Sequence, residues 1–127
     1  IHGGFLARPR DLARFGLLFT PSHNVVSETP LITELHIKNL LHQGRPELLA
    51  NQKNLPEGVK HNTYQWDFVF EDGTLYKGGW AGQGIMVNPA HDYVFVWNSY
   101  FKDNDESETK LTPIMFHVAK NLIREKN

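Results

Sequence analysis

Apolar residues in the first third of the chain recur every three or four positions, the spacing of a helix with one buried face. After Asp11 the apolar positions are Leu12, Phe15, Leu18 and Phe19. Pro9 suits a first helical turn. Residues 31–43 show a rougher version of the same period and end before the glycine and proline at 44 and 46. The pattern predicts two amphipathic helices separated by a polar loop.

Beyond His61 the pattern changes from helical to extended. Residues 63–70 alternate and predict one strand, whereas residues 51–62 predict an irregular connection. Residues 75–87 indicate a strand, a glycine-rich turn and a second strand. Tyr93–Trp97 is apolar at every position, which predicts a strand covered on both faces.

The last apolar stripe, in residues 111–124, predicts a closing helix with Pro113 near its start. Helices therefore come first, followed by consecutive strands and one packing helix. This order predicts an α+β fold in which an antiparallel meander of about three to four strands is covered by the C-terminal helix. Residues 1–127 are expected to form a single unit, the C-terminal portion of a larger domain.

Composition narrows the classes of function. The 127 residues carry a formal charge of −1, so no basic field indicates nucleic acid or an anionic membrane. The absence of cysteine excludes disulfides, thiolate zinc sites and a cysteine nucleophile. No apolar run reaches the roughly 20 residues of a membrane span. Because the chain opens at Ile1 and not at methionine, we expect a fragment, and its compartment stays unpredicted.

Four glycines cluster in the predicted central hairpin, at Gly78, Gly79, Gly82 and Gly84. Glycine weakens a strand and is tolerated where a ligand or another backbone approaches closely. The cluster therefore indicates the wall of a cleft. A bulged hairpin that binds nothing is the alternative, and composition alone leaves both open.

Other candidate chemistry lacks its sequence context. The seven histidines show no spacing that places two imidazoles on one helical face, so neither a metal nor another cofactor is predicted. Residues 79–84 resemble a phosphate loop only superficially, because a strand and not a helix follows them. Asp67, Glu71 and Asp72 offer carboxylates, but Glu71 and Asp72 belong to a turn signal and are expected to be solvated.

Two longer segments carry a resemblance to a known family. Residues 3–16 read Gly-Gly-Phe-Leu-Ala-Arg-Pro-Arg-Asp-Leu-Ala-Arg-Phe-Gly, and residues 73–83 read Gly-Thr-Leu-Tyr-Lys-Gly-Gly-Trp-Ala-Gly-Gln. With Asn88-Pro89 and Tyr93–Trp97, they make the chain resemble the C-terminal part of the serine β-lactamase-like hydrolases. That family includes class C β-lactamases, D-alanyl-D-alanine carboxypeptidases, carboxylesterases and nylon-oligomer amide hydrolases.

The resemblance implies roles for individual residues. Lys77-Gly78-Gly79 matches the third family motif, Lys-Thr-Gly, with glycine in place of threonine. It implies catalytic positions at Lys77, at Gly79 and at the backbone N–H of Trp80, a donor to the oxyanion hole. It also implies substrate-binding positions at Gly78, Gly82 and Gln83. The missing threonine hydroxyl favours an esterase, amidase or peptidase, and an exposed lysine that protects a strand edge is the alternative for Lys77.

The family nucleophile, a Ser-x-x-Lys serine, precedes the third motif in the chain. Two such strings occur here, beginning at Ser99 and Ser107, but both follow the third motif, and we attribute them to chance. The nucleophile and the family's tyrosine motif are therefore expected upstream of Ile1. The chain should supply one wall of an active site and should not catalyse by itself.

These expectations define partners. A small acyl substrate and the remaining N-terminal part of the same protein are expected, and an exposed apolar edge at residues 93–100 predicts a homodimer. A non-catalytic binding module is the alternative from another class, with an aromatic platform of Tyr64, Trp66, Trp80 and Trp97. A diverged family member that has lost its nucleophile is a third reading.

Overall fold

A computed structural model describes residues 6–79, 82–99 and 107–124. These residues form three α-helices, which are α1 (Pro9–Leu17), α2 (Glu34–His42) and α3 (Ser107–Arg124). They form five strands, which are β1 (Val59–Thr63), β2 (Trp66–Phe70), β3 (Leu75–Gly78), β4 (Gly84–Asn88) and β5 (Tyr93–Trp97). Short 3-10 turns occur at Pro21–Val25 and Pro46–Leu48. The predicted α+β class is confirmed.

The strands form one antiparallel sheet whose spatial order, β1-β2-β3-β4-β5, is also their order in the chain. The predicted meander is thus correct, but it has five strands and not three or four. Within this sheet β5 is an edge strand that pairs only with β4. Neighbours in sequence are neighbours in space, as short hairpin connections require.

The additional strand is β1, which lies in the stretch predicted to be irregular. This strand shows no alternation of apolar and polar residues, because its buried positions are occupied by His61 and Thr63. Backbone carbonyls of Leu41 and Asn62 lie 3.0 and 3.3 Å from the His61 ring nitrogens, which compensates the burial of that ring. A polar but satisfied strand leaves no hydrophobic signal in the sequence.

The predicted single strand over residues 63–70 is wrong, because the chain turns at Tyr64. Thr63 pairs with Trp66, which leaves a two-residue connection between β1 and β2. Tyr64 adopts φ 47°, in the left-handed region that L residues rarely occupy. The alternation of aromatic residues concealed this hairpin.

Side chains alternate between two cores on opposite faces of the sheet. Leu75, Ile85 and Val87 pack toward α1 and α2, together with Phe19, Leu40 and Trp66. Tyr76, Met86 and Trp97 pack toward α3, where Phe70 stacks on Phe116 at a ring separation of 4.0 Å. The residues of β5 contribute to both cores, which confirms a strand covered on both faces.

Two helices, α2 and α3, begin at residues other than the predicted ones. Helix α2 begins at Glu34, three residues after the predicted start, because the Thr33 hydroxyl accepts the His36 N–H at 3.1 Å and caps it. Helix α3 begins at Ser107, so Pro113 lies in its second turn and not its first. In the described part of the chain no helix has both the length and the hydropathy needed to cross a bilayer.

Candidate functional site

Lys77 is the third residue of β3 and lies near the end of the strand. It pairs with Ile85 of β4, and Leu75, two positions earlier, belongs to the core beneath α1 and α2. Because side chains alternate along a strand, Lys77 projects from the same face of the sheet as Leu75. The lysine is therefore on the face of the sheet that packs against α1 and α2, at the end of the strand.

Asp67 of β2 holds Lys77 and the following residue together. Its Oδ1 lies 2.6 Å from the Lys77 Nζ, and its Oδ2 accepts the backbone N–H of Gly78 at 2.8 Å. The Lys77 and Asp67 side chains are 46% and 39% exposed, so solvent reaches both members of the pair. One carboxylate thus fixes a cationic side chain and the adjacent backbone amide.

Sequence reasoning missed Asp67, although a signal for it exists. The turn at 71–73 sets Phe68 opposite Tyr76, and the same register places Asp67 opposite Lys77. Opposite charges at facing positions of neighbouring strands are a recognised stabilising pair. Counting residues outward from the turn would have identified the partner of Lys77.

The glycines of the hairpin meet side chains of the protein itself. A Cβ at Gly78 would lie 2.5 Å from the Tyr76 hydroxyl, and one at Gly79 would lie 2.7 Å from Gln83 Cγ. A Cβ at Gly84 would overlap the Trp97 ring. Gly82 has φ 80°, and its carbonyl accepts the Trp97 indole N–H at 2.7 Å. Packing inside the hairpin therefore explains the cluster, and the substrate-binding roles of Gly78, Gly82 and Gln83 stay predictions.

The turn between β3 and β4 is closed by backbone hydrogen bonds. The Gly79 N–H donates to the Gln83 carbonyl at 2.9 Å, and the Gly82 N–H donates to the Gly79 carbonyl at 3.2 Å. Gln83 itself is exposed. The predicted oxyanion donor, the N–H of Trp80, lies outside the described residues, so it stays a prediction.

The aromatic residues of the predicted binding platform are divided between surface and core. Trp66 and Trp97 are each only 8% exposed, and they pack on Phe19 and Tyr76 respectively. Tyr64 is 64% exposed, beside His36 at a ring separation of 5.2 Å. Trp80 lies outside the described residues. Two of the four rings are therefore part of the cores and unavailable to a ligand at the surface.

A shallow cavity of about 350 Å³ lies near the turn between β1 and β2. It is lined by Gln43, Arg45, Leu48, Asn62, Thr63 and Tyr64. The Arg45 guanidinium is paired with Glu47 at 2.8 Å. This cavity includes neither Lys77 nor the hairpin glycines, so it is separate from the predicted site.

The two Ser-x-x-Lys strings lie at the end of the sheet and at a helix start. Ser99 follows β5, but the lysine of its string lies outside the described residues. Residues 107–110 form the first turn of α3. The described residues contain no group of three histidine or carboxylate side chains arranged to hold a metal ion.

Comparisons of the chain with protein-family models, with curated proteins and with solved structures found no match. The likeness to serine hydrolases therefore rests on the motifs in residues 3–16 and 73–83. Of the residues that it implicates, Lys77 and Gly78 are joined by Asp67, and Gly79 is joined to Gln83 within one turn.

Proposed function

We propose that the chain is the C-terminal part of a serine hydrolase that cleaves amide, ester or β-lactam bonds through an acyl-enzyme. It contributes the Lys-Gly-Gly strand and an oxyanion-hole amide. The nucleophile comes from the rest of the protein, so this chain is inactive alone. No cofactor is part of the proposal.

The Asp67–Lys77–Gly78 arrangement carries this proposal. The ammonium and the amide donor are held by a single carboxylate at 2.6 and 2.8 Å, at the end of a strand inside the sheet. Preorganised cations stabilise the negative charge that develops during acyl transfer. The Gly78 N–H, which donates to Asp67, fixes the end of the strand beside Lys77. A pair fixed in this way suits a site wall better than a mobile surface lysine does.

Exposed apolar side chains support a further covering part of the protein. On α3, Ile114, Val118 and Leu122 recur every four residues and are all exposed. Leu31 and Leu35, beside and within α2, are exposed as well. Clusters of exposed apolar side chains are a feature of interaction sites. We assign these faces to contacts with the remaining part of the hydrolase domain.

In the proposed reaction a serine hydroxyl from that remaining part attacks the substrate carbonyl and loses its proton to a neighbouring base. The carbonyl oxygen becomes an oxyanion, which the proposed donor at the Trp80 N–H stabilises. The leaving group departs with a proton, and water then hydrolyses the acyl-serine ester. Within this cycle Lys77 supplies positive charge near the substrate, and Gly78 lets the acyl group approach the strand.

The free edge of β5 supports self-association of the isolated chain. Among the described residues, Tyr93–Trp97 pairs with a strand on one side only, namely β4. An unpaired apolar edge is a template for another strand. We therefore propose that the chain forms homodimers through this edge. Light scattering of a concentration series tests this, and a monomer at the highest concentration contradicts it.

The decisive experiment extends the encoding reading frame upstream of Ile1 and expresses its whole product. A Ser-x-x-Lys followed by a tyrosine motif is expected in the added segment. A fluorophosphonate should then add one phosphonyl group to that serine, detected by intact mass.

Matched lysine variants connect the labelling to this chain. Lys77→Ala should slow the fluorophosphonate reaction, because it removes positive charge beside the oxyanion. Lys60→Ala, which removes an exposed lysine from β1, should leave the labelling rate unchanged. A frame that lacks the serine motif, or a product that resists labelling, contradicts the hydrolase proposal.

A further inference from the structure

Asp67 and Lys77 form a charge pair at the proposed acyl site. The contact of 2.6 Å is the shortest of the three salt bridges found among the described residues. Both side chains remain partly exposed, so a ligand arriving at Lys77 also meets Asp67. The site therefore presents an ammonium whose charge is partly offset by its neighbour.

The carboxylate is restrained from turning away when a ligand arrives. Its second oxygen accepts the Gly78 N–H at 2.8 Å, so rotation of the side chain would leave that amide without its partner. Asp67 also lies between Trp66 and Phe68, and the Trp66 side chain is buried. Backbone, side chain and neighbours hold the negative charge close to Lys77.

Simple electrostatics predicts the consequence for substrates. A carboxylate beside a lone ammonium near a protein surface is attracted to it. A carboxylate on the substrate would be repelled by Asp67 as well as attracted by Lys77, so its net attraction to the site is reduced. A neutral acyl group bears no such repulsion.

Resting on the function proposed above, we propose that Asp67 is a specificity-determining residue that makes the site select neutral acyl groups over carboxylate-bearing ones. Asp67 holds Lys77 in place and lowers its attraction for anionic substrates. The substrate class is then neutral esters or amides.

The test compares two p-nitrophenyl esters with four-carbon acyl groups, the neutral butyrate and the anionic hemisuccinate. The enzyme is the product of the whole reading frame, and the readout is the ratio of kcat/KM for hemisuccinate to that for butyrate. Asp67→Asn should raise this ratio about tenfold, which corresponds to about 1.4 kcal/mol. An unchanged ratio in a folded Asp67→Asn enzyme overturns the proposal.

Two control variants test whether the effect comes from the charge at position 67. One changes the side chain there but keeps its charge, and the other changes the net charge of the protein elsewhere. Asp67→Glu keeps the carboxylate and should keep the wild-type ratio. Asp11→Asn removes one negative charge from α1, where Asp11 lies 4.0 Å from Arg14, and should also keep it. A tenfold rise in either control would assign the effect to something other than the Asp67 charge and overturn the proposal.

A second variant decides the question if Asp67→Asn fails to fold. Lys77→Gln leaves Asp67 without its cation and should lower the ratio below the wild-type value, whatever its effect on butyrate alone. A ratio at or above the wild-type value overturns the proposal.

Failure of the hydrolase function is distinguishable from failure of this inference. If the whole product hydrolyses neither ester, the proposed function falls, and the charge balance is tested on this chain by NMR. Butyrate and neutral butyramide are titrated while the Gly78 amide signal is followed. Butyrate should shift that signal in Asp67→Asn and not in wild type; equal shifts in both overturn the inference.

Discussion

The two ends of the β3–β4 hairpin use polar groups in opposite ways. The end opposite the glycine turn, where the β2–β3 and β4–β5 turns meet, is called the turn end and consists of Asp72, Thr74, Asn88 and Tyr93. Its Thr74 and Asn88 side chains are 0% exposed. The lysine end, which consists of Asp67, Lys77 and Gly78, keeps its charge pair in contact with solvent. The strands between them are the same, so the difference arises from the side chains at their ends.

At the turn end the Asn88 side chain makes hydrogen bonds with both neighbouring turns, β2–β3 and β4–β5. Its amide nitrogen donates to the Asp72 carbonyl and to the Thr74 hydroxyl, each at 3.1 Å. Its amide oxygen accepts the N–H groups of Ala90 and His91 at 3.0 and 2.9 Å. Buried polar groups contribute to stability only when they are paired in this way.

Under the proposed function, the comparison teaches that one end of this hairpin serves stability and the other serves recognition. A buried, fully bonded network makes removal of one member costly. An exposed ion pair contributes little to stability, and its charges stay available to a ligand. Substitutions at the two ends should therefore separate unfolding free energy from specificity.

Asn88→Ala should show the largest loss of stability. It leaves buried donors and acceptors of two turns without partners, and we expect the free energy of unfolding to fall by about 2–4 kcal/mol. Urea unfolding followed by circular dichroism measures this. The control is Asn98→Ala, at an exposed position after β5, for which a change below about 0.5 kcal/mol is expected. Similar losses in the two variants would refute the special status of the turn end.

Trp97→Phe should show the second largest loss of stability. It tests whether the glycine turn, at the lysine end, has a buried anchor of its own. It removes the indole N–H that donates to the Gly82 carbonyl at 2.7 Å, a contact that lies in the interior. A loss of about 1–3 kcal/mol is expected from the unpaired carbonyl and the smaller ring. Urea unfolding again gives the value. Stability equal to wild type would mean that the glycine turn does not depend on this anchor.

The turn end should also respond to alkaline pH. Burial raises the pKa of the Tyr93 phenol above its ordinary value, while the hydrogen bond with Thr74 acts in the opposite direction. Because the folded pKa exceeds the unfolded one, the contribution to stability is complete below about pH 10 and is lost as the pH rises through the folded pKa. Unfolding midpoints from pH 8 to pH 11 measure the loss.

Tyr93→Phe is the matched variant, because it keeps the ring and removes the ionisable hydroxyl. Its unfolding midpoint should decline less steeply above pH 10 than that of wild type. The same slope in both proteins would show that Tyr93 is not the titrating group.

Asp67→Asn should have the smallest effect on stability. The lost ion pair is exposed on both sides, and such pairs contribute about 0–1 kcal/mol. The asparagine oxygen can still accept the Gly78 N–H, so the end of β3 should remain in place. Thermal unfolding measures this effect, and a loss larger than that of Trp97→Phe would reverse the proposed division between the two ends.

Much of the architecture followed from local signals in the sequence. Helical spacing located α1 and α2, turn signals at 71–73 and 88–89 bounded the strands, and the apolar run Tyr93–Trp97 predicted a two-sided strand. These signals are readable because a residue's burial follows the period of its own element. The motif containing Lys77 was likewise visible in the sequence.

Tertiary structure alone decided the elements whose reason lies elsewhere in the chain. Strand β1 is held by His61, whose ring reaches the carbonyl of Leu41 in α2, so its burial leaves no apolar pattern. The hairpin glycines are required by the side chains of Tyr76, Gln83 and Trp97, which only the folded strands bring to them. Asp67 became the partner of Lys77 through strand register, ten positions away in sequence. Apart from β1, the sequence determined which segments are helical or extended, because periodicity is local. Contacts between segments decided what each polar residue and glycine does.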